Sequence, residues 1–126
     1  MAIVGIGTDI VEISRVEKSF KRFGKRFAER ILSNDELTSK KFKVQPAHFL
    51  AKRFAAKEAI MKALGTGLAK GVRFDDFTVL NDENGKPVVD VGGKAHDLMT
   101  ELGVVSLHIS ISDEENQAIA FAIAES

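Results

Sequence analysis

Between Pro46 and Leu64 the chain runs PAHFLAKRFAAKEAIMKAL, a segment that reads as a helix yet has no ordinary solvent face. Alanine, leucine, lysine and glutamate are strong helix formers, Pro46 suits a first turn, and Gly65 suits a left-handed C-terminal cap. At 100° per residue, Phe54, Met61 and Leu64 fall within roughly 40° of Leu50. Ala51, Ala55, Ala56, Ala59 and Ala63 take up most of the back, and side chains that small suit close approach of another element. A helix of this kind has to be enclosed, so the remaining chain must supply layers around it.

Its charges do not collect on one side. Lys57 and Arg53 lie inside the apolar arc, at roughly −20° and −60° from Leu50, while Glu58 and Lys62 lie at roughly +80° and +120° on the other flank. Glu58 and Lys62 form a favourable i,i+4 pair, and long basic side chains can snorkel out of an apolar stripe. Arg53 and Lys57 are like charges at i,i+4, which repel unless an anion sits between them. Three cations followed by Gly65-Thr66-Gly67 suggest a phosphate site, because glycine lets backbone N–H groups come close. Asp9 is a second anomaly, a carboxylate inside the apolar run Ile3–Val11. Magnesium needs one or two protein carboxylates plus substrate phosphates and waters, so Asp9 and Glu58 beside three cations suggest a metal-bridged polyphosphate.

The elements expected around the helix make an α+β chain. Ile3–Val11 reads as a strand. Ile13, Val16, Phe20, Phe23 and Phe27 recur at helical spacing, with Gly24 breaking or bending the helix. Leu32–Glu36 carries capping residues for another short helix. A glycine-spaced loop spans Gly65–Gly71, and Phe74–Leu80 and Pro87–Val91 flank the hairpin signal Asn81–Gly85. Ala95, Leu98, Met99 and Leu102 mark a short helix capped by Gly103. Val105–Ile111 and Gln117–Glu125 alternate as two half-buried strands joined by a tight turn. No repeat, linker or second domain is visible, and residues 1–126 are expected to form one domain.

Charge is unevenly distributed. Residues 1–74 carry net +9 and residues 75–126 net −9, summing to zero. Arg15, Lys18, Arg22 and Lys25/Arg26 recur opposite the apolar stripe of the first helix. An acidic protein partner fits this face better than nucleic acid, since no DNA or RNA motif is present and nine Phe come without Trp or Tyr to stack on bases. The 44% hydrophobic content suits one real core, and the absence of cysteine removes disulfide and thiol chemistry. MAIVGIGTDIV has no basic leader and meets Asp9 early, so neither a signal peptide nor a membrane span is expected, and a cytoplasmic protein is.

Taken together, GIGTDIVEISR (Gly5–Arg15), RFAAKEAIMKALGTG (Arg53–Gly67) with its Lys57-Glu58…Lys62-Ala63 core, Asn84-Gly85-Lys86-Pro87 and HISIS (His108–Ser112) resemble the holo-acyl carrier protein synthases. These are the small bacterial 4′-phosphopantetheinyl transferases, and the match runs nearly end to end. The resemblance implies a largely antiparallel sheet packed against one long helix and shorter helices. It implies transfer of phosphopantetheine from coenzyme A to a serine of apo-acyl carrier protein in fatty acid biosynthesis, releasing adenosine 3′,5′-bisphosphate. It assigns magnesium to Asp9 and Glu58, and the pyrophosphate and leaving group to Lys62. Arg53, Lys57 and Gly65, Thr66 and Gly67 would hold the coenzyme's phosphates. Arg15, Lys18, Arg22 and Arg26 would dock the acidic carrier, and three copies would form a trimer with active sites between subunits.

One position departs from the pattern: Asp113 stands where many members have a histidine that helps bind the nucleotide end. His108, on the polar side of its strand, stays outside the candidate site. Two other classes compete with the transferase. A non-catalytic module binding coenzyme A or an acidic protein would not need Asp9, Glu58 and Lys62 together. A metal-dependent nuclease or phosphatase would use water in place of the serine.

Overall fold

A computed structural model describes residues 1–126. The chain starts with β1 (Ile3–Glu12), which passes without a loop into α1 (Ile13–Phe23). Gly24, at φ 59°, breaks the expected long helix, and α2 (Lys25–Ile31) restarts beyond it. Two short helices follow, α3 (Asn34–Leu37) and α4 (Lys40–Val44), and then the long α5 (Pro46–Leu64). Beyond two 3₁₀ turns come the hairpin β2 (Phe77–Asn81) and β3 (Pro87–Val91), α6 (Gly93–Leu102), and the closing pair β4 (Ser106–Asp113) and β5 (Gln117–Glu125). Helix α4 was not foreshadowed by periodicity; five residues are too few to show one, and Ser39 caps it by accepting from the Lys41 amide.

All strand pairing is antiparallel, but the strands form two sheets rather than one. The first has the order β1-β5-β4, so the two ends of the chain are neighbours; the second is the β2-β3 hairpin.

Helix α5 crosses the three-stranded sheet as the core element, as its all-round apolar character demands. Ala55, Ala56 and Ala59 are fully buried there, facing Ala118, Ala120, Ala122 and Ala124 of β5. Their small size allows a close approach, and two glycines make it closer still. A Cβ on Gly7 would collide with the Ala59 carbonyl oxygen, and one on Gly5 with that of Ala63. β1 can therefore lie against the C-terminal half of α5 only because it has no side chains at those two positions. The same register turns Asp9, two residues on, toward that half of the helix.

The opposite face of this sheet is open. Ile6, Ile10, Ile119 and Phe121 point outward and are 61, 57, 43 and 42% exposed. No helix of the chain is long and apolar enough to cross a membrane.

Candidate active site

The close contact of β1 with α5 sets three of the candidate residues side by side. The Lys62 ammonium lies 3.3 Å from Asp9 Oδ1 and donates a 2.9 Å hydrogen bond to the Thr8 carbonyl. One turn earlier on α5, Glu58 is half-buried, and its carboxyl is pushed above the ordinary glutamate range. Burial is the larger cause and the Asp9 charge the second, while Lys62 opposes both. Two carboxylates sharing one site in this way attract cations. The C-terminal end of α5 adds its partial negative charge.

Asp9 and Glu58 open into a cleft of about 560 Å³ whose walls include Val16, Phe27 and Phe54. Arg15 lines the same cleft. Lys18, Arg22 and Arg26 are exposed beyond it on α1 and α2, while Ile13 and Val16 are buried on the other side of α1. Arg15 thus joins the basic face to the carboxylate cleft.

Lys57 lies in the apolar arc, as the wheel has it, but does not serve the phosphate site expected of it. The arc buries it completely, and no anionic ligand can reach it. Its ammonium donates 2.6 Å hydrogen bonds to Glu36 Oε1 and to the Ile31 carbonyl. Glu36, also fully buried, accepts from the Ser33 amide through Oε1 at 2.8 Å and from the Val79 amide through Oε2 at 2.7 Å. Burial pushes the Lys57 pKa down and Glu36 opposes that shift. The pair ties α3 and β2 to α5, so the repulsion expected between Arg53 and Lys57 is answered by an internal carboxylate rather than by a ligand. Ser33-x-x-Glu36 had been visible as capping residues; nothing local said that Glu36 would reach a lysine 21 residues away.

Arg53 belongs to a second cleft. It is 3% exposed, its guanidinium sits 4.4 Å from the Phe49 ring centroid, and it donates a 3.1 Å hydrogen bond to Asn81 Oδ1. Its Nε is buried with no partner. The cleft, about 550 Å³, also collects Lys40, Lys41, His48 and Lys52. Asp113 lines it too, 3.9 Å from Lys52. None of Lys40, Lys41 and Lys52 stood out in the sequence, because each is an ordinary surface-type lysine until α4 and β4 gather them. His108 lies away from both clefts on the outer sheet face, 3.0 Å from Glu125 Oε1.

Gly65, at φ 83°, caps α5 in the left-handed conformation, and its amide is already bonded to the Met61 and Lys62 carbonyls at 2.9 and 3.1 Å. It therefore has no N–H to offer a phosphate. Thr66 Oγ1, next in the loop, is buried and unpartnered.

Residues 5–122 match the family model described as the 4′-phosphopantetheinyl transferase superfamily. The chain belongs to that superfamily. Among phosphopantetheinyl transferases it is 56% identical to the holo-[acyl-carrier-protein] synthase of Vibrio vulnificus, over the full length of both chains. The crystal structure of the Neisseria meningitidis synthase superposes with a TM-score of 0.91 at 42% identity, covering 99% of this chain and all of that one. The Helicobacter pylori synthase, solved in complex with coenzyme A, superposes at 0.83 with 34% identity, covering 95% of this chain and 99% of the other. The mixed α+β architecture with antiparallel sheets is thus the transferase fold.

Proposed function

We propose that this chain transfers 4′-phosphopantetheine from coenzyme A to the acceptor serine of apo-acyl carrier protein, yielding holo-acyl carrier protein and adenosine 3′,5′-bisphosphate. The reaction is magnesium-dependent, cytoplasmic and serves fatty acid biosynthesis. The observation that carries this reading is the meeting of Asp9 and Glu58 in a cleft that Arg15 also lines, with the Lys62 ammonium resting against Asp9. The names of the relatives and the coenzyme A complex of the Helicobacter pylori synthase support it.

The donor set fits magnesium. Asp9 and Glu58 offer oxygen only, and a cation, the Lys62 ammonium, already rests against Asp9 and the Thr8 carbonyl. Asp9 and Glu58 are the two residues of the chain that would hold the ion. Bound there, the ion would neutralise charge on the pyrophosphate. The serine oxygen attacks the β-phosphorus and gives up its proton to solvent, the bond from that phosphorus to the bridging oxygen breaks, and the bisphosphate carries the electron pair away. Lys62 places its positive charge over those leaving oxygens, the main demand of phosphoryl transfer.

Arg53 lines its cleft together with Lys40, Lys41 and Lys52, and this cluster holds a phosphate of the nucleotide end. Lys52 stands beside Asp113 and provides positive charge where the family's histidine is missing. Lys57 takes no part. Arg15, Lys18, Arg22 and Arg26 dock the acidic carrier.

Arg53 and Glu58 lie roughly 140° apart around α5, so one chain does not present both clefts on one side. Three copies joined through the outward apolar sheet face around Ile6, Ile10, Ile119 and Phe121 would let one copy's Arg53 cleft complete another's carboxylate cleft.

The test is release of adenosine 3′,5′-bisphosphate from coenzyme A, followed by chromatography with and without apo-carrier. Release that requires the carrier supports transfer. Equal release without it identifies a hydrolase and overturns the proposal.

A further inference from the structure

We infer that Lys62 is a competing internal cation for the metal site, so that metal binding and release of Lys62 toward the phosphates are one coupled event. The inference rests on the assignment of the metal to Asp9 and Glu58 and concerns what Lys62 does before substrate arrives.

Lys62 is held in two ways that a phosphate-binding lysine does not need. Its ammonium sits 3.3 Å from Asp9 Oδ1 and donates a 2.9 Å hydrogen bond to the Thr8 carbonyl. Both partners belong to β1, which is fixed against α5 at Gly5 and Gly7. The side chain is about half exposed, so it can swing outward at little cost, whereas Asp9 is 17% exposed and set by the strand register. The movable member of the pair is therefore the lysine.

Electrostatics then fixes the order. Without another cation, Lys62 offsets the repulsion between Asp9 and Glu58 through its 3.3 Å contact with Asp9. A dication at the same carboxylates takes over that role and repels the ammonium beside them. Lys62 leaves Asp9, and the nearest uncompensated negative charge is that of the incoming pyrophosphate. Coupling of this kind is reciprocal. Metal binding frees Lys62 for phosphate, and phosphate, by holding Lys62 away from Asp9, tightens the metal. The enzyme thereby avoids presenting its phosphate cation before the metal is in place.

Manganese(II) titrations of the chain alone, followed by electron paramagnetic resonance of the free ion, test this without any turnover. Lys62→Met keeps the length of the side chain and removes its charge, and it should bind manganese on the order of fivefold more tightly than the unsubstituted chain. Lys62→Arg keeps the charge and should show no such tightening. Unchanged or weaker binding by Lys62→Met overturns the inference, as does equal tightening in both variants. Asp9→Asn separates it from the reading beneath: manganese binding that persists unaltered in Asp9→Asn overturns the metal assignment itself.

Discussion

Glu58 and Lys57 are adjacent in sequence and opposite in consequence. Glu58 is ionisable at an open cleft, and replacing it by Gln should leave the fold intact and lower kcat at least about a hundredfold, as loss of a metal-anchoring charge does. Circular dichroism with steady-state rates checks this; near-normal turnover in folded protein would remove Glu58 from the site. Its raised pKa also carries a sign. The folded chain binds the Glu58 proton more tightly than the unfolded chain does, so this group's contribution to stability falls as pH rises from its ordinary value through the raised one. Carboxyl ¹³C resonances of chelator-treated protein should place the Glu58 midpoint above the usual range. Asp9→Asn should bring it down by removing one of the two causes. Lys57, by contrast, is structural: Lys57→Met strands a buried Glu36 carboxylate and should cost about 3–5 kcal/mol in urea unfolding. A cost within the range of a surface pair would contradict its assignment to the interior.

At the scale of elements, the decisive contact is β1 against α5. Gly7→Ala sets a methyl group against the Ala59 carbonyl, so we expect at least about 2 kcal/mol of destabilisation, from strain comparable to core overpacking. Activity should fall further than stability accounts for, since Asp9 moves with the strand; thermal unfolding and rates on the same sample decide. Much at this scale was legible in the sequence. The limits of α5, the Gly24 break, the Asn81–Gly85 turn and the alternation of β4 and β5 are each written in local chemistry. Division of the strands into two sheets was not, because pairing β1 with β5 depends on the chain's two ends meeting. Nor was the destination of Lys57 or the gathering of Lys40, Lys41 and Lys52, which depend on partners brought from distant segments. Burial of Arg53 and Lys57 could be read from the helical wheel, whereas their partners Asn81 and Glu36 could not.

For the whole molecule, charge and apolar surface each make a claim. The basic face of α1 and α2 should make the KM for apo-carrier rise with salt while kcat changes little, because exposed charges are screened over about 10 Å at 0.1 M. A KM independent of salt would remove that face from docking. The open sheet face should hold copies together: Phe121→Asp should turn a sedimenting trimer into monomer and abolish transfer with it, and an active monomer would contradict the shared site. The most direct measurement is the intact mass of apo-acyl carrier protein after incubation with this chain, coenzyme A and magnesium, beside an EDTA control. The account predicts a gain of one phosphopantetheine that EDTA abolishes. No gain, with coenzyme A demonstrably bound, would contradict it and leave a binding module.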